Sequence, residues 1–369
     1  MTAVRLPSSW GLSPMQYIIS QFNVRKSNVM AGYRDFLILW FFDIIDFMNK
    51  ILLSGVQPSG KIHIGNYFGA IKQFVDMQDK YDSYVFIANY HALTTVSDKK
   101  TLERNTFEVA VDYLACGLDP RKTTLFAQSE IPEVAELAWI FECITTVPYL
   151  MRAHAFKDAE AKGAEVNAGL FNYPMLMAAD ILIQDADVVP VGQDQKQHIE
   201  YARDTALKFN RVFGDTFKMP EPLILEEVAI IPGTDGRKMS KSYGNTIPLF
   251  ATSDEIKKGV MSLPTDSKGI KDPKNPHSCN IMALHRLFSG PLVGTLETRY
   301  RDGAIGYHES KEILIKNMER FIAPLRAKRE KIAGDIESVR SVLSAGGKKA
   351  RGRAIEKMRA VRNKVGLQA

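Results

Sequence analysis

The sequence predicts an α/β fold followed by a purely helical region. Between residues 51 and 144, short apolar runs alternate with longer segments of helical spacing, a pattern typical of parallel strands whose sheet is covered by helices on both faces. Beyond Ser242 the strand pattern stops, and helical segments joined by polar loops follow one another. With 369 residues and 45% hydrophobic content, the chain is long enough for two domains.

The spacing of apolar residues predicts each element. The apolar run Ile51–Leu53 predicts a buried strand, and Asn66–Gln78 has the period of a helix. The elements expected next are a strand at Tyr84–Ala88, a helix at Leu102–Cys116, a strand at Thr124–Ala127 and a helix at Val134–Cys143. Four helices are expected later, at Ser253–Met261, Ile281–Phe288, Lys311–Ala323 and Arg326–Leu343. The chain therefore divides into residues 48–245, with an insertion around residues 150–170, and a helical part at residues 246–369.

The first 47 residues do not follow this pattern. Their apolar stretch Phe36–Phe47 is interrupted by Asp43 and Asp46, so it is too short and too acidic to span a membrane. A few early basic residues are a weak sign of an organellar transit peptide. We expect residues 1–47 to be a disordered or wrongly assigned extension without a catalytic role.

A turn rich in glycine and proline joins the first strand to the following helix, between Ser54 and Tyr67. Such a turn binds anions, because free backbone N–H groups and the helix dipole converge at the helix N-terminus. Gly65 allows close approach of a nucleotide, and His63 can donate to a phosphate. The spacing matches neither the dinucleotide fingerprint nor the Walker loop, so a purely structural turn is the alternative for this segment alone.

The segment Lys238–Ser242 places two lysines three residues apart among hydroxyl residues, after the turn-forming stretch Pro232–Gly236. Lysine suits a polyphosphate because it is a compact charge on a flexible stem. Positive charge beside a developing oxyanion is usually the largest contribution to catalysis. A solvated surface turn is the alternative for this segment alone, but the phosphate-type turn upstream favours a polyphosphate site.

Four segments together resemble the class I aminoacyl-tRNA synthetases, in particular the tryptophanyl branch. The stretch Gly55–Asn66 and the loop Lys238–Ser242 are similar to the HIGH and KMSKS signatures of that class, and Tyr173–Leu182 and Val189–Glu200 are similar to the branch. The resemblance covers nearly the whole chain from residue 50 onwards. It implies a Rossmann-like catalytic domain at 48–245 and an α-helical anticodon-binding domain at 246–369 with a basic C-terminal helix.

The resemblance implies that ATP activates L-tryptophan with release of pyrophosphate, and that the tryptophyl group then passes to tRNA(Trp). Because the attacking carboxylate is already an anion, catalysis depends on positioning and charge neutralisation. The residues expected to act in catalysis are Lys238, Lys241 and His63. Those expected to bind ATP are Gln57, Pro58, Ser59, Gly65, Asn66, Gly192, Gln193, Asp194, Lys238, Met239, Ser240, Lys241 and Ser242. Magnesium is expected to arrive bound to the phosphates, without a dedicated protein metal site.

An indole needs one acceptor inside apolar walls, because its N–H is its single polar group. Asp180 lies in the apolar segment Leu176–Leu182, where a buried carboxylate is costly; an exposed or ion-paired acid on an amphipathic helix is the alternative. The resemblance implies that Asp180 accepts the indole N–H and that Tyr173 and Gln195 lie near the amino group. The expected pocket walls are Leu53, Met177, Val189 and Val191.

Composition adds expectations about partners and compartment. The net charge of +6 permits a polyanionic partner. Eight lysines and arginines from Lys348 to Lys364 face only Glu356, which indicates either a solvated amphipathic helix or contacts to RNA phosphates. Three scattered cysteines favour a reducing compartment. We expect a cytoplasmic homodimer without a membrane partner, or a mitochondrial protein if residues 1–47 are a transit peptide; the dimer follows from family precedent.

Three other functions share parts of the pattern. A tyrosyl-tRNA synthetase has the same fold but needs a Tyr/Asp pair for a phenol. A small-molecule nucleotidylyltransferase uses a similar His-x-Gly signature but leaves the helical half without a purpose. A regulatory or RNA-binding paralogue would not need both lysines of the loop.

Overall fold

The computed structural model describes residues 50–367, apart from 59, 162, 164, 193–195 and 225–230. Residues 1–47, for which an extension is expected, lie outside the described residues. The described part of the chain belongs to one compact unit.

A five-stranded parallel sheet lies at the centre of the fold, with the strand order β3-β2-β1-β4-β5. The strands are β1 Ile51–Val56, β2 Asp82–Ile87, β3 Thr123–Ala127, β4 Val188–Val191 and β5 Glu221–Ile224. The three predicted strands are confirmed to within two or three residues at their ends. The order reverses between β1 and β4, and ligands of such sheets bind at the carboxyl ends of the strands beside this reversal.

Helices cover both faces of the sheet. They are α1 (Ile64–Asn66, a π-helical turn Tyr67–Ile71, and Lys72–Met77), α2 Asn89–Ala92, α3 Lys99–Cys116, α4 Glu133–Ile144, α5 Val147–Leu150, α6 His154–Ala161, α7 Ala168–Ile183 and α8 Lys196–Phe213. Leu53 belongs to the apolar cluster formed with α4, α7 and α8, whereas Leu52 packs with α1 and α3. Successive strand residues point to opposite faces, which explains the continuous apolar runs, and the predicted fold class is confirmed.

The later part of the chain is helical, as predicted, but one boundary differs and one helix, at Leu292–Arg301, was not predicted. The helices are α9 Ser253–Met261, α10 Asn280–Phe288, α11 Leu292–Arg301, α12 Tyr307–Ala333 and α13 Ile336–Val365. The predicted division between Lys311–Ala323 and Arg326–Leu343 is wrong, because Pro324 lies inside α12. Side chains buried before it, such as Ile322, hold the helix in place. After it, Arg326 donates to the Ala251 carbonyl and Arg329 donates to Asp112. The chain breaks instead at Asp335, whose side chain accepts from the Ser338 N–H and caps α13.

The basic helix α13 packs against strand β3 and is not simply solvated. A Cβ on Gly346 would lie 2.0 Å from the carbonyl oxygen of Leu125, so only glycine permits this approach. Its buried Ala350, Ala354, Met358 and Val361 join the core. Several basic side chains pair with acids: Lys349 with Asp82, Arg351 with Glu133, Lys357 with Asp185 and Arg362 with Glu136.

Candidate active site

The candidate site residues come from the carboxyl ends of neighbouring strands. Gln57 follows β1, His91 lies in the helix after β2, Gln128 directly follows β3 and Gly192 follows β4. Because all strands are parallel, these ends meet at one edge of the sheet. The site therefore lies where the strand order reverses.

His63 is the N-cap residue of α1. Its Nδ1 accepts from the Asn66 N–H at 3.3 Å, and the Asn66 Oδ1 accepts from the His63 N–H at 3.1 Å, a reciprocal capping box. Burial and, secondarily, the charge of Lys241 lower the pKa of His63 to about 4. The ring is therefore neutral at pH 7. Since Nδ1 is an acceptor, the proton is on Nε2, and this nitrogen is the one that can donate to a phosphate.

The Lys238–Ser242 loop is joined to the first phosphate turn. The Lys241 Nζ donates to the carbonyl of Gly60 at 3.1 Å. After the loop, the chain pairs with the start of α1: the Ile64 N–H donates to Ile247 O at 3.1 Å, and the Leu249 N–H to Ile62 O at 3.0 Å. The two motifs, about 180 residues apart in sequence, therefore form one structure.

Gly65 and Met239 lie at the junction of the two motifs. A Cβ on Gly65 would be 3.0 Å from the His63 ring and 3.6 Å from the Met239 Cβ. The absence of a side chain keeps this space open beside His63. Asn66 is exposed next to it, Pro58 is buried, and Gln57 is exposed. Ser59 lies outside the described residues.

Asn245 organises the lysine loop, although no sequence pattern predicted it. Its Oδ1 accepts from the Ser240 N–H at 2.8 Å, and its Nδ2 donates to Asp235 at 2.7 Å and to the Lys238 carbonyl at 3.1 Å. The side chain is buried. Ser240 also shares a hydrogen bond with Ser242, at 2.8 Å between hydroxyl oxygens. An asparagine soon after two lysines is a weak signal, though its capacity to bond nearby backbone is the relevant property.

Asp180 is buried in α7, so the alternative of an exposed acid is wrong. Both of its oxygens accept from the Gln128 Nε2, at 3.0 and 2.7 Å. Burial raises the pKa of Asp180 well above its usual value, and the hydrogen bonds from Gln128 oppose this rise. Gln128 is a second residue that the sequence analysis missed, because its contact with Asp180 spans 52 residues of sequence.

His91 and Tyr173 extend this polar group. His91 Nδ1 lies 3.0 Å from the Gln128 Nε2 and 3.7 Å from Asp180. Burial lowers the pKa of His91, so its contact with Asp180 is not an ion pair at neutral pH. The Tyr173 hydroxyl lies 3.2 Å from His198 Nε2. His198 therefore touches a predicted site residue.

The predicted pocket walls lie in the same apolar cluster. Leu53 and Val189 are buried in it, and Tyr173, Met177 and Val191 pack against it. Tyr173, Met177 and Asp180 are spaced four and three residues apart and share one face of α7. Gly192 is partly exposed at the end of β4, and Gln193, Asp194 and Gln195 lie outside the described residues.

A small cavity adjoins Asp180 and Gln128, between strands β2 and β3 and helices α4 and α7. Its volume is about 10 Å³. This corresponds to one water molecule at most, so the cavity is too small for an indole. None of the predicted wall residues lines it: its lining consists of Phe86, Phe126, Gln128, Ile131, Val134, Asp180, Ile183 and Gln184.

A parallel sheet with this order, with two joined loops at its carboxyl edge that carry the predicted phosphate-binding residues, is the arrangement expected of a class I synthetase. The chain matches the sequence model of the tRNA synthetases class I (W and Y) over residues 49–323. The chain therefore belongs to this family and is an aminoacyl-tRNA ligase. The family resemblance predicted from the four segments is confirmed.

Relatives and solved structures agree with this assignment. The tryptophan–tRNA ligase of Fusobacterium nucleatum is 52% identical over 320 residues, which cover 86% of this chain and 98% of the relative. That of Rhodopirellula baltica is 48% identical, with 86% and 99% covered. The crystal structure of tryptophanyl-tRNA synthetase from Campylobacter jejuni complexed with ADP and tryptophan has a TM-score of 0.81 at 45% identity, with 86% and 99% covered.

Proposed function

We propose that this chain acts as a tryptophan–tRNA ligase, which activates L-tryptophan with ATP and transfers it to tRNA(Trp). The proposed amino-acid specificity rests on the buried carboxylate of Asp180. Its hydrogen-bond partner, Gln128, only donates to it. The carboxylate retains acceptor capacity inside an apolar cluster, which suits the single N–H of an indole. Relatives named for the same activity, covered almost completely by this chain, support the proposal.

In the first step, a carboxylate oxygen of tryptophan bonds to the α-phosphorus of ATP, and the bond to the bridging oxygen breaks to release pyrophosphate. His63 donates from Nε2 to a phosphate oxygen, and Gly65 and Asn66 border the same space. Lys238 and Lys241 neutralise the charge that builds up on the leaving pyrophosphate. In the second step, a ribose hydroxyl of the tRNA attacks the acyl carbon, and AMP leaves.

Gln57, Pro58, Ser59, Met239, Ser240 and Ser242 complete the proposed ATP site, together with Gly192, Gln193 and Asp194. Tyr173 and Gln195 are assigned to the amino group of tryptophan, and Leu53, Met177, Val189 and Val191 to its ring. Magnesium would be held by the phosphate oxygens and would screen their charge. Among the described residues, no group of three or more His, Cys, Asp or Glu is placed to bind a metal.

Amino-acid-dependent exchange between ATP and pyrophosphate tests the proposal, with tryptophan, tyrosine and phenylalanine compared at equal concentration. We expect exchange with tryptophan alone. Exchange with tyrosine instead would contradict the role of Asp180 while leaving the two phosphate loops in place. No exchange with any of them, in folded protein that binds ATP, would favour the nucleotidylyltransferase or the regulatory alternative.

We further propose that two copies form a homodimer. Trp139, Val147 and Met151, on and beside α4 and α5, expose 66%, 60% and 44% of their surface, and exposed apolar side chains that lie close in sequence suit a protein interface. Sedimentation velocity at micromolar concentration tests this, and a monomer would contradict it.

The remaining assignments concern tRNA and compartment. The proposed domains are 48–245 for catalysis and 246–369 for the anticodon, with the outward side chains of α13, such as Lys348 and Arg359, available to RNA. Free Cys116, Cys143 and Cys279 are consistent with a cytoplasmic location. Among the described residues, no helix is both long and apolar enough to cross a membrane.

A further inference from the structure

The orientation of the Gln128 amide follows from its hydrogen bonds. Its Oε1 lies 3.0 Å from the Tyr90 backbone nitrogen and 3.3 Å from that of His91. Backbone N–H groups only donate, so the atom facing them must be the oxygen. The amide nitrogen consequently faces Asp180 and His91 Nδ1. Gln128 is only 1% exposed, so water does not compete for these bonds.

The two hydrogens of the Gln128 amide have separate acceptors. One is directed to the Asp180 carboxylate and the other to His91 Nδ1. His91 therefore carries its proton on Nε2, and its ring is also hydrogen-bonded to the backbone of Tyr173. Every polar atom of the Gln128 side chain is used, and each bond fixes the direction of the next. Such fully satisfied buried networks are rigid.

This network determines which further hydrogen bonds Asp180 can form. A carboxylate accepts about four hydrogen bonds, and the single amide group of Gln128 cannot occupy them all. An acidic proton on the side of Asp180 that faces Gln128 would meet an N–H donor, so the arrangement favours an acceptor there. While Asp180 is ionised, a ligand in contact with the remaining lone pairs must donate.

We propose that Gln128 is a positioning residue that determines specificity by holding Asp180 as the hydrogen-bond acceptor for the substrate N–H. The proposal rests on the function proposed above. Gln128 does not touch the substrate; it acts through Asp180, and it ties the orientation of Asp180 to the helix that starts at Asn89. Loss of Gln128 should therefore weaken the selection for an N–H group, not only the activity.

The test compares L-tryptophan with β-(3-benzothienyl)-L-alanine, in which sulfur replaces the indole N–H. The ratio of their kcat/KM values in pyrophosphate exchange reports the contribution of that hydrogen. A buried acceptor left unmatched costs enough to give a preference for tryptophan of about tenfold or more in the wild type. In Gln128→Met, which keeps length but loses both donors, we expect this preference to fall at least about fivefold, with the KM for ATP nearly unchanged.

Gln184→Met is the matched control. Gln184 is also 1% exposed and lines the same small cavity, but it donates to the Ala350 carbonyl at 3.1 Å and has no hydrogen bond to Asp180 among those of the described residues. Its variant should retain the wild-type preference.

The outcomes separate the two proposals. If Gln128→Met lowers kcat/KM for both substrates by the same factor, Gln128 is merely structural and the inference is overturned. If that variant does not fold, Gln128→Leu, which is also apolar and has no donors, must show the same reduced preference; an unchanged preference in it also overturns the inference. A wild-type enzyme that does not activate tryptophan refutes the proposed function itself, before any variant is considered.

Discussion

His63 and His285 show how burial alone changes a side chain. Both have their pKa lowered to about 4, with burial as the largest cause. For His63 the consequence is chemical, because a neutral ring with a defined tautomer can both cap α1 and donate to phosphate. For His285, which is fully buried between α10 and α12 and contacts Ser289 and Ser310, the consequence is thermodynamic.

His285 should make the protein less stable in mild acid. Below pH about 6.5 the unfolded chain protonates this histidine, whereas the folded protein does so only near pH 4, so the unfolded state binds more protons in that window. The free energy of unfolding therefore falls as the pH falls from about 6.5 to about 4. Urea midpoints at pH 7 and pH 5 should show a smaller loss for His285→Gln than for the wild type. Equal losses in both proteins would contradict this.

Loops carry the lysines proposed to act in catalysis, and one asparagine gives the second loop its shape. Asn245 bonds to backbone or side chains at three positions of the loop. Gly233 lies so close to it that an added Cβ would be 2.4 Å from the amide. The loop is therefore built around a buried side chain, and the lysines extend from a fixed base.

Asn245→Ala should lower kcat/KM for ATP by about 10–100-fold, because misplaced lysines lose their charge contacts with the leaving group. We expect the KM for tryptophan to change little. Asn210→Ala is the control, since Asn210 braces the turn at Thr216 and Phe217 in the same way but far from the loop in sequence. Both variants should lose about 1–3 kcal/mol of stability. An equal effect of both on the ATP step would contradict the role given to Asn245.

At the scale of the whole molecule, helix α12 holds in place elements that contact the two loops predicted to bind phosphate. Arg329 pairs with Asp112 at 2.5 Å and with Glu108, both on α3, and its guanidinium lies 5.3 Å from the centre of the Phe250 ring. On α3, Asn105 donates to the Pro58 carbonyl at 3.2 Å. Burial raises the pKa of Asp112 to about 6, and Arg329 opposes this rise.

Arg329→Met should destabilise the protein by about 2–4 kcal/mol, because it leaves a buried carboxylate without its cation. The matched change Arg286→Met breaks a more exposed pair with Glu297 and should cost less than about 1 kcal/mol. Denaturant unfolding at pH 7.5 measures both. Similar losses of stability in the two variants would show that the burial of the Arg329–Asp112 pair does not increase its contribution.

The local sequence pattern was sufficient to predict many features of this protein. The β1–β3 strands and an acid within an apolar helix could be predicted, and the two loops could be identified as candidate phosphate sites, because each depends on residues that are neighbours in the chain. Strands buried on both faces need continuous apolar runs, and anion-binding turns need glycine followed by a helix start.

The remaining features depend on contacts between distant parts of the chain. Gln128 reaches Asp180 across 52 residues, and Arg329 reaches Asp112 across 217; neither glutamine nor arginine has a local spacing that identifies its partner. Tertiary packing likewise carries α12 through Pro324, where propensity predicts an end. Local sequence could therefore suggest which residue types form this site, whereas the orientation of its polar groups depended on which side chains the fold brings together in a buried space.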